Sequence, residues 1–222
     1  TKLMSAVSDL EVNLDEEMGK LWSVKYQCGD DFITIATTRP ETILADTAVA
    51  VNPDDERYKK FIGKKAIIPI VNREVPIIAD DYVDQDFGSG CVKITPAHDF
   101  NDYEVGERNN LEVINVFTPD GKINENAPDN YIGLDRFEAR KRILKELTDK
   151  NLFVKEEKIK NKVPYGDRSN SIIEPYLTEQ WFADAKKLSI KAKEIVNNKT
   201  TTFFPANWAK TYFQWMDNIE PW

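Results

Sequence analysis

The sequence predicts a mixed α/β fold in which short strands come first and helices follow. Strand-like runs separated by turn residues fill the first 130 positions. Helical periodicity begins at Asp135, and four of the five tryptophans lie in the last third of the chain. We therefore expect two parts, a β-rich core over residues 1–155 and an aromatic-rich helical segment over residues 156–222.

The strand patterns predict hairpins followed by single strands. Hairpins are expected at 21–38 and 66–78, and single strands at 90–95 and 113–117. In the second hairpin, Pro69 and Pro76 lack the N–H group that a strand ladder uses. We therefore expect these two prolines at a sheet edge or a bulge.

Helices are predicted from capping residues and apolar spacing. Asp135 followed by Glu138 has the spacing of a capping box, and an apolar stripe continues from there toward Asn151. Two further helices are expected at 179–196 and 207–217, after Thr178 and Asn207. Their aromatic residues suggest a surface that packs against another part of a longer chain.

Composition limits the classes of partner and compartment. The formal charge of -8 disfavours a protein that grips a long nucleic-acid backbone, so any nucleic-acid contact should be local. Cys28 and Cys91 lack metal or redox spacing, which favours buried thiols and a cytoplasmic location. No apolar run is long enough to cross a membrane. Because the chain starts at Thr1 rather than Met, we expect a fragment of a longer protein.

The first polar cluster runs from Thr37 to Thr42 at the end of a predicted strand. Thr38 and Glu41 have capping-box spacing and Pro40 suits a first helical turn, so this cluster could simply begin a helix. Arg39 fits that interpretation poorly, since a cation at a helix N-terminus opposes the helix dipole. The cluster therefore stays a candidate for both roles.

The second polar cluster runs from Gly88 to Asp102. Strand geometry places Cys91, Lys93 and Thr95 on one face of the predicted strand. Asp99 and Asp102 then have the spacing of an N-cap and its N3 partner. Capping and function are both open for Asp99. Asp102 is the better functional candidate, because one cap already satisfies the exposed N–H groups.

His98 is the only histidine, which limits the possible mechanisms. A metal phosphohydrolase would need further imidazole ligands, so we predict no metal site. A Cys91 nucleophile with His98 as base is conceivable, but a packed thiol and an incidental histidine are favoured. Gly88-Ser89-Gly90 precedes a strand rather than a helix, so no phosphate-binding loop and no cofactor are predicted.

Motifs along nearly the whole chain together resemble the editing insert of class I aminoacyl-tRNA synthetases. They are Ala36–Thr42, Asp46–Pro53, Gly88–Tyr103, Thr118–Gly121, Gly133–Arg140 and Val163–Ser169. Arg39 with Glu41, Asp46, and Lys93-Ile94-Thr95 are typical of the valyl branch. The alternatives are an isoleucyl or leucyl type of editing domain, or a non-catalytic module that binds the tRNA 3′ end.

The resemblance implies a β-barrel-like core with surrounding helices and a C-terminal helical segment. That segment would lead back to the catalytic core of a parent synthetase. The expected partners are this catalytic core and the tRNA(Val) 3′ end carrying threonine. The domain itself is expected to be a monomer. The aminoacylation motifs of the family, of His-Ile-Gly-His and Lys-Met-Ser-Lys-Ser type, do not occur in this sequence. Synthesis of aminoacyl-tRNA is therefore not expected of it.

The resemblance also implies the reaction, hydrolysis of mischarged threonyl-tRNA(Val) by water. A pocket shaped for valine rejects isosteric threonine poorly, so a second hydrolytic site is needed. Asp102 is expected to hold the substrate α-ammonium, while Thr38 and Lys93 orient water or stabilise developing charge. The expected substrate-binding residues are Thr37, Arg39, Thr42, Phe87, Thr95 and Asp99.

Overall fold

A computed structural model describes residues 2–7 and 11–220 and has the predicted mixed α/β fold. The strands are β1 (Val12–Cys28), β2 (Asp31–Thr37), β3 (Ala48–Val51), β4 (Lys65–Ile68), β5 (Arg73–Ala79), β6 (Cys91–Ile94) and β7 (Phe153–Gly166). The helices are α1 (Phe100–Asn109), α2 (Arg136–Asp149), α3 (Ala185–Asn197) and α4 (Trp208–Asp217), with short 3₁₀ helices at Pro40–Ala45 and Lys59–Phe61.

The strands form one curled sheet in the order β2-β1-β4-β5-β3-β6, and β7 pairs with β1 outside this path. The two ends of the path, β2 and β6, lie against each other, so the sheet curves into a half-barrel. Inside the curve is the main core, which includes Val24, Ile35, Val49 and Ile77, with Ile143 of α2 packed against it. The predicted barrel-like core with surrounding helices is confirmed.

Both predicted hairpins form. β1 and β2 pair across Gly29, whose φ of 62° suits a tight turn, and β4 pairs antiparallel with β5. The edge or bulge predicted for Pro76 is wrong, because β5 has a neighbour on each side and its registers show no shift there, while Pro69 lies in the turn after β4. Proline is tolerated there because the ladder to β3 begins only at Ile77.

The strand predicted at 113–117 does not form, apart from a single bridge between Phe117 and Ile123. Side chains accept hydrogen bonds from the backbone N–H groups that a strand ladder would use. The N–H of Val116 donates to Nε2 of His98 (3.0 Å), and the N–H of Phe117 donates to the side chain of Asn115 (2.9 Å). Long-range pairing therefore overrides the local strand preference.

The predicted starts of α2 and α4 agree with the structure, whereas the predicted start of α3 does not. Asp135 caps α2 by accepting from the N–H of Phe137 (2.8 Å), as predicted. α4 follows Asn207 as predicted, although the Asn207 side chain makes no capping hydrogen bond. The helix expected at 179–196 begins later, because Asp184 supplies its cap by accepting from Lys187 (3.0 Å). None of the described helices combines the length and apolarity needed to span a membrane.

The described residues divide into two compact units, one ending at Leu177 and one starting at Thr178. This division differs from the boundary expected near residue 155. β7 crosses residue 155 while pairing with β1, so the chain on both sides of that point belongs to one sheet. In the second unit α3 packs on α4, where the Tyr212 hydroxyl donates to the carbonyl of Ala192 (2.8 Å).

Candidate active site

The two polar clusters of the sequence meet at one cavity of about 220 Å³. β2 ends at Thr37 and delivers what we call the loop wall, made of Thr37, Thr38, Arg39 and Thr42. β6 and the start of α1 deliver the strand–helix wall, made of Lys93, Thr95, Asp99 and Asp102. With Phe87 at the opening, 55% exposed, all of the predicted site residues line this cavity.

The loop wall is held by local hydrogen bonds around Arg39. Oγ1 of Thr37 accepts from the N–H of Arg39 (3.0 Å), and the Thr42 hydroxyl donates to the Arg39 carbonyl (3.0 Å). The Thr38 hydroxyl lines the cavity without a hydrogen bond to any residue that the structure describes. Two of the three threonines are thus committed to the backbone, and Thr38 is free to contact a ligand.

The predicted capping box of Thr38 and Glu41 is wrong. Arg39 is the N-cap of the 3₁₀ helix and gives no side-chain cap, with Pro40 in the first turn as expected. The Glu41 carboxylate is buried and accepts two hydrogen bonds from Arg140 of α2 (2.7 and 2.8 Å). Burial alone would raise the pKa of Glu41, but Arg140 and Arg39 bring it below its usual value. The long-range ion pair replaces the local cap.

Arg39 joins the two walls. Its Nη1 donates to the carbonyl of His98 (2.7 Å), and its guanidinium also pairs with Glu41 (3.4 Å) and with Glu174. These contacts explain a cation at the start of a helix, because the nearby carboxylates offset its conflict with the helix dipole. Its side chain still lines the cavity beside Thr38.

Asp99 caps α1 as its spacing predicts. One oxygen, Oδ1, accepts from the N–H groups of Asn101 (2.9 Å) and Asp102 (3.1 Å). Asp99 is also exposed and lines the cavity. The cap therefore uses one oxygen of the carboxylate, and the other is available to a ligand.

Asp102 turns away from the cap and into the fold. Its Oδ2 accepts from the N–H of Thr95 (2.8 Å), and only 6% of the residue is exposed. Burial raises the pKa of Asp102 to about 7, with Lys93 opposing the shift and Asp99 adding to it. Oδ1 of Asp102 accepts no hydrogen bond among residues 2–7 and 11–220, and because this oxygen is not fully buried it is accessible to a ligand in the cavity that Asp102 lines.

Lys93 lies on the same face as Thr95, as strand geometry predicts, and both bind Asp46, which the sequence marked as typical of the valyl branch but not as a site residue. Nζ of Lys93 contacts Oδ1 of Asp46 (3.0 Å) and the Thr95 hydroxyl, which itself donates to Asp46 (2.7 Å). The signal for Asp46 was an acidic residue two positions before the buried strand β3, where a charge requires a partner. Nothing local identifies Lys93 as that partner.

His98 and Cys91 also line the cavity, but neither has the properties of a catalytic group. His98 accepts from the N–H of Val116 and packs on Phe117, with ring centroids 4.5 Å apart. Burial, with Arg39 and Lys93 nearby, lowers the pKa of His98 to about 3. Burial raises the pKa of the Cys91 thiol far above its ordinary range, so it stays protonated.

Four further residues, which the sequence patterns did not indicate as site residues, also line the cavity. Leu21, Ala36, Tyr82 and Val92 add apolar and aromatic surface to it. Within the described part of the chain, no three His, Cys, Asp or Glu side chains cluster in a way that could hold a metal ion. The arrangement is a small cavity whose lining is more apolar than polar, with one buried ionisable carboxylate and one buried lysine.

Comparison with known proteins identifies the family. A family model described as the leucyl-tRNA synthetase editing domain matches residues 54–135. All of the chain aligns with the valine–tRNA ligase of Pelagibacter ubique (strain HTCC1062), at 69% identity and covering 26% of that protein. The chain is an editing domain of the class I aminoacyl-tRNA synthetase family, on the valyl branch. Its identity to the valine–tRNA ligase of Legionella pneumophila (strain Lens) is 56%, over 24% of that protein.

This valyl-type editing domain spans about a quarter of the length of the curated relatives that it matches. The leucyl-type family model and the valyl relatives together support post-transfer editing as its general activity. A solved leucyl-tRNA synthetase (LeuRS) from Agrobacterium radiobacter K84, in a ternary complex with tRNA and LeuAMS, shares the fold. It is 21% identical, covers 67% of this chain and 20% of that chain, and has a TM-score of 0.50.

Proposed function

We propose that this domain removes threonine that has been mischarged onto tRNA(Val), by water attack on the ester that joins threonine to the tRNA 3′ end. The observation that supports this proposal best is the convergence of the polar residues of the loop wall and the strand–helix wall on one small cavity. The membership of a valyl-type editing family supports the reaction class. The finer assignments below rest on the chemistry of the side chains.

The size of the cavity favours an aminoacyl group rather than a whole nucleotide. Its volume of about 220 Å³ lies below the range of roughly 300–1,000 Å³ usual for pockets that enclose drug-sized ligands. The terminal adenosine would therefore stay outside and lie over the loop wall. A contact limited to a single-stranded end also suits a chain with a formal charge of -8.

Asp102 is the residue we assign to the substrate α-ammonium. The bond from the Thr95 N–H fixes the carboxylate, and the unpaired oxygen is accessible to a ligand in the cavity. A cation beside this oxygen would favour the ionised form of Asp102 and form a charge-assisted hydrogen bond. Fixing the ammonium holds the ester carbonyl in one position for the attacking water.

Lys93 and Thr38 are assigned to the carbonyl and the water. Two of the three ammonium protons of Lys93 are directed to Asp46 and Thr95, which leaves one for the developing negative charge on the ester oxygen. The Thr38 hydroxyl has no partner among the described residues and can orient the nucleophilic water. No protein nucleophile is required.

Selection of threonine over valine is assigned to Asp99. The Thr95 hydroxyl is committed to Asp46, whereas Asp99 has one carboxylate oxygen that its cap does not use. This oxygen can accept from the threonine hydroxyl. Valine would displace water from Asp99 without replacing the hydrogen bond, at a cost of about 1–3 kcal/mol.

The partners and setting follow from the reaction. We assign the tRNA(Val) 3′ end as the ligand and the catalytic core of a longer synthetase as the protein partner, in the cytoplasm, with the domain itself a monomer. In this role Thr37, Arg39 and Thr42 line the cavity, and the exposed Phe87 lies at its opening. Thr37, Arg39 and Thr42 act mainly by holding the loop wall in place.

A deacylation assay tests the proposal. We expect the domain to accelerate hydrolysis of threonyl-tRNA(Val), and to leave valyl-tRNA(Val) and isoleucyl-tRNA(Val) close to their spontaneous rates. Equal lability of the threonyl ester with and without protein would contradict the proposal. If a non-hydrolysable threonyl-adenosine analogue still bound in that case, the domain would be a non-catalytic module for the tRNA 3′ end.

A further inference from the structure

A fully buried carboxylate lies directly behind the cavity. Asp46 follows the 3₁₀ helix and is 0% exposed, and it does not line the cavity itself. Three side chains donate to it: the Tyr26 hydroxyl at 2.6 Å, Nζ of Lys93 at 3.0 Å and the Thr95 hydroxyl at 2.7 Å. Two of these three donors belong to the strand–helix wall.

The bonding pattern assigns a charge state and an orientation. Tyr26 occupies one carboxylate oxygen of Asp46, while Lys93 and Thr95 share the other. Burial raises the pKa of Asp46, but the Lys93 ammonium, which can only donate, and the hydroxyls of Tyr26 and Thr95 oppose this rise and favour the ionised form. A buried anion is tolerated only beside a buried cation, so Asp46 and Lys93 depend on each other.

We propose that Asp46 is a positioning residue for the editing reaction: it holds the Lys93 ammonium against Thr95 and away from Asp102. This inference rests on the proposed function. Without Asp46, the flexible side chain of Lys93 would have one strong acceptor left nearby, the cavity oxygen of Asp102. Asp102 would then be occupied by an internal ammonium and closed to the ammonium of the substrate.

The same arrangement balances charge where the substrate enters. The aminoacyl group brings its own cation, which a free Lys93 would repel. Asp46 offsets the charge of Lys93 from behind, so the cavity side of the strand–helix wall keeps the negative charges of Asp99 and Asp102. The substrate ammonium and the Lys93 ammonium can therefore share a small cavity.

A double-mutant cycle tests whether Asp46 acts through Lys93. We expect Asp46→Asn to lower kcat/KM for threonyl-tRNA(Val) by roughly 10- to 100-fold, mainly through KM, because substrate competes with Lys93 for Asp102. In a Lys93→Met background the same change should cost less than about threefold. Losses that multiply in the double variant would overturn the proposal.

Tyr26→Phe is the matched control. It removes one hydrogen bond to the same carboxylate from the side opposite the cavity, and Phe keeps the ring in the core. We expect a lower melting temperature with kcat/KM within about threefold of wild type. If Tyr26→Phe lowers kcat/KM as much as Asp46→Asn, Asp46 has only a structural role and the inference fails.

The pH profile gives a second readout that a structural role would not move. The charged and titratable groups around Asp102 are Lys93, Asp46, Asp99 and Tyr82. Asp46→Asn removes a negative charge and frees Lys93, and both changes favour ionised Asp102. The acid limb of kcat/KM should therefore shift to lower pH. An unmoved limb would contradict the proposal.

The controls also separate this inference from the proposed function. If wild type shows no deacylation, the proposed function fails before Asp46 is tested. If Asp46→Asn does not fold, Thr95→Val offers a milder loss of the same support, and its effect should also vanish in the Lys93→Met background. Persistence of that effect would overturn the inference.

Discussion

The loop wall and the strand–helix wall of the cavity are held by different kinds of contact. Thr37 and Thr42 bond to the backbone of Arg39, so the loop wall is largely built from neighbours in sequence. Lys93 and Thr95 instead bind Asp46, which lies 47 and 49 positions away. The difference indicates that the loop wall provides shape, whereas the strand–helix wall stores buried charge at a cost in stability.

The largest effect on stability is expected at the long-range ion pair of Glu41 and Arg140, next to the loop wall. Glu41→Gln removes the charge that binds Arg140 bidentately, and we expect the free energy of unfolding to fall by about 2–4 kcal/mol. Because the pKa of Glu41 is lowered in the fold, its contribution is present above the unfolded pKa and is lost as pH falls. The gap between wild type and variant should therefore narrow in acid.

Chemical denaturation at pH 7 and pH 4 measures this gap. Glu138→Gln is the control, since Glu138 forms an exposed pair with Lys141 at the surface of α2 and should change stability by less than about 0.5 kcal/mol. Equal effects of the two variants would mean that the Glu41 pair does not hold the loop wall.

The buried carboxylate of Asp102, in the strand–helix wall, should determine how deacylation activity depends on pH. Burial raises the pKa of Asp102 to about 7, and the ionised form is the one that binds an ammonium. We expect kcat/KM for threonyl-tRNA(Val) to fall about tenfold per pH unit below this value. Asp102→Asn should remove this acid limb from any residual activity. A limb near the ordinary pKa of an exposed carboxylate would contradict the role of burial.

Asp99 has two roles in this account, the cap of α1 and the proposed contact with the threonine hydroxyl, and two variants separate them. Asp99→Ala removes the cap of α1 and should lower the free energy of unfolding by about 0.5–2 kcal/mol. Asp99→Ser keeps a capping oxygen but not the reach into the cavity, so stability should recover. The preference for threonyl over valyl ester should fall in both. If Asp99→Ser retains the preference, Asp99 is a cap only.

The smallest effects are expected within the loop wall. Thr37→Val removes the acceptor for the Arg39 N–H and should cost about 1 kcal/mol of stability. Thr38→Val removes a hydroxyl that has no partner among the described residues, so melting temperature should hold while deacylation slows. Thermal melts and single-turnover rates on the same two proteins distinguish these outcomes. The reverse pattern would exchange the roles of the two threonines.

Local spacing was enough to predict the parts that depend on neighbours. The first hairpin, the caps Asp135 and Asp99, and the shared face of Lys93 and Thr95 all follow from positions a few residues apart. The resemblance to editing inserts indicated which polar residues belong to one site. It did not indicate which groups hold them there.

Long-range partners could not be read from the sequence. The Thr38 capping box failed because Glu41 binds Arg140, 99 positions away, and the strand at 113–117 failed because His98 takes the N–H of Val116. Asp46 was overlooked as a support for the same reason. In each case tertiary hydrogen bonding overrode a local preference, and only the fold brings the partners together.

The role of Asp102 is tested most directly by comparing wild type with Asp102→Asn at pH 8. We expect deacylation of threonyl-tRNA(Val) to fall by roughly 10- to 100-fold, since a charge-assisted bond to the substrate is lost. The melting temperature should stay the same or rise. At pH 8 Asp102 is ionised although its burial disfavours the charge, and Asn removes this unfavourable charge. A variant that is as stable as wild type and deacylates at the wild-type rate would contradict the assignment of Asp102 as the ammonium anchor.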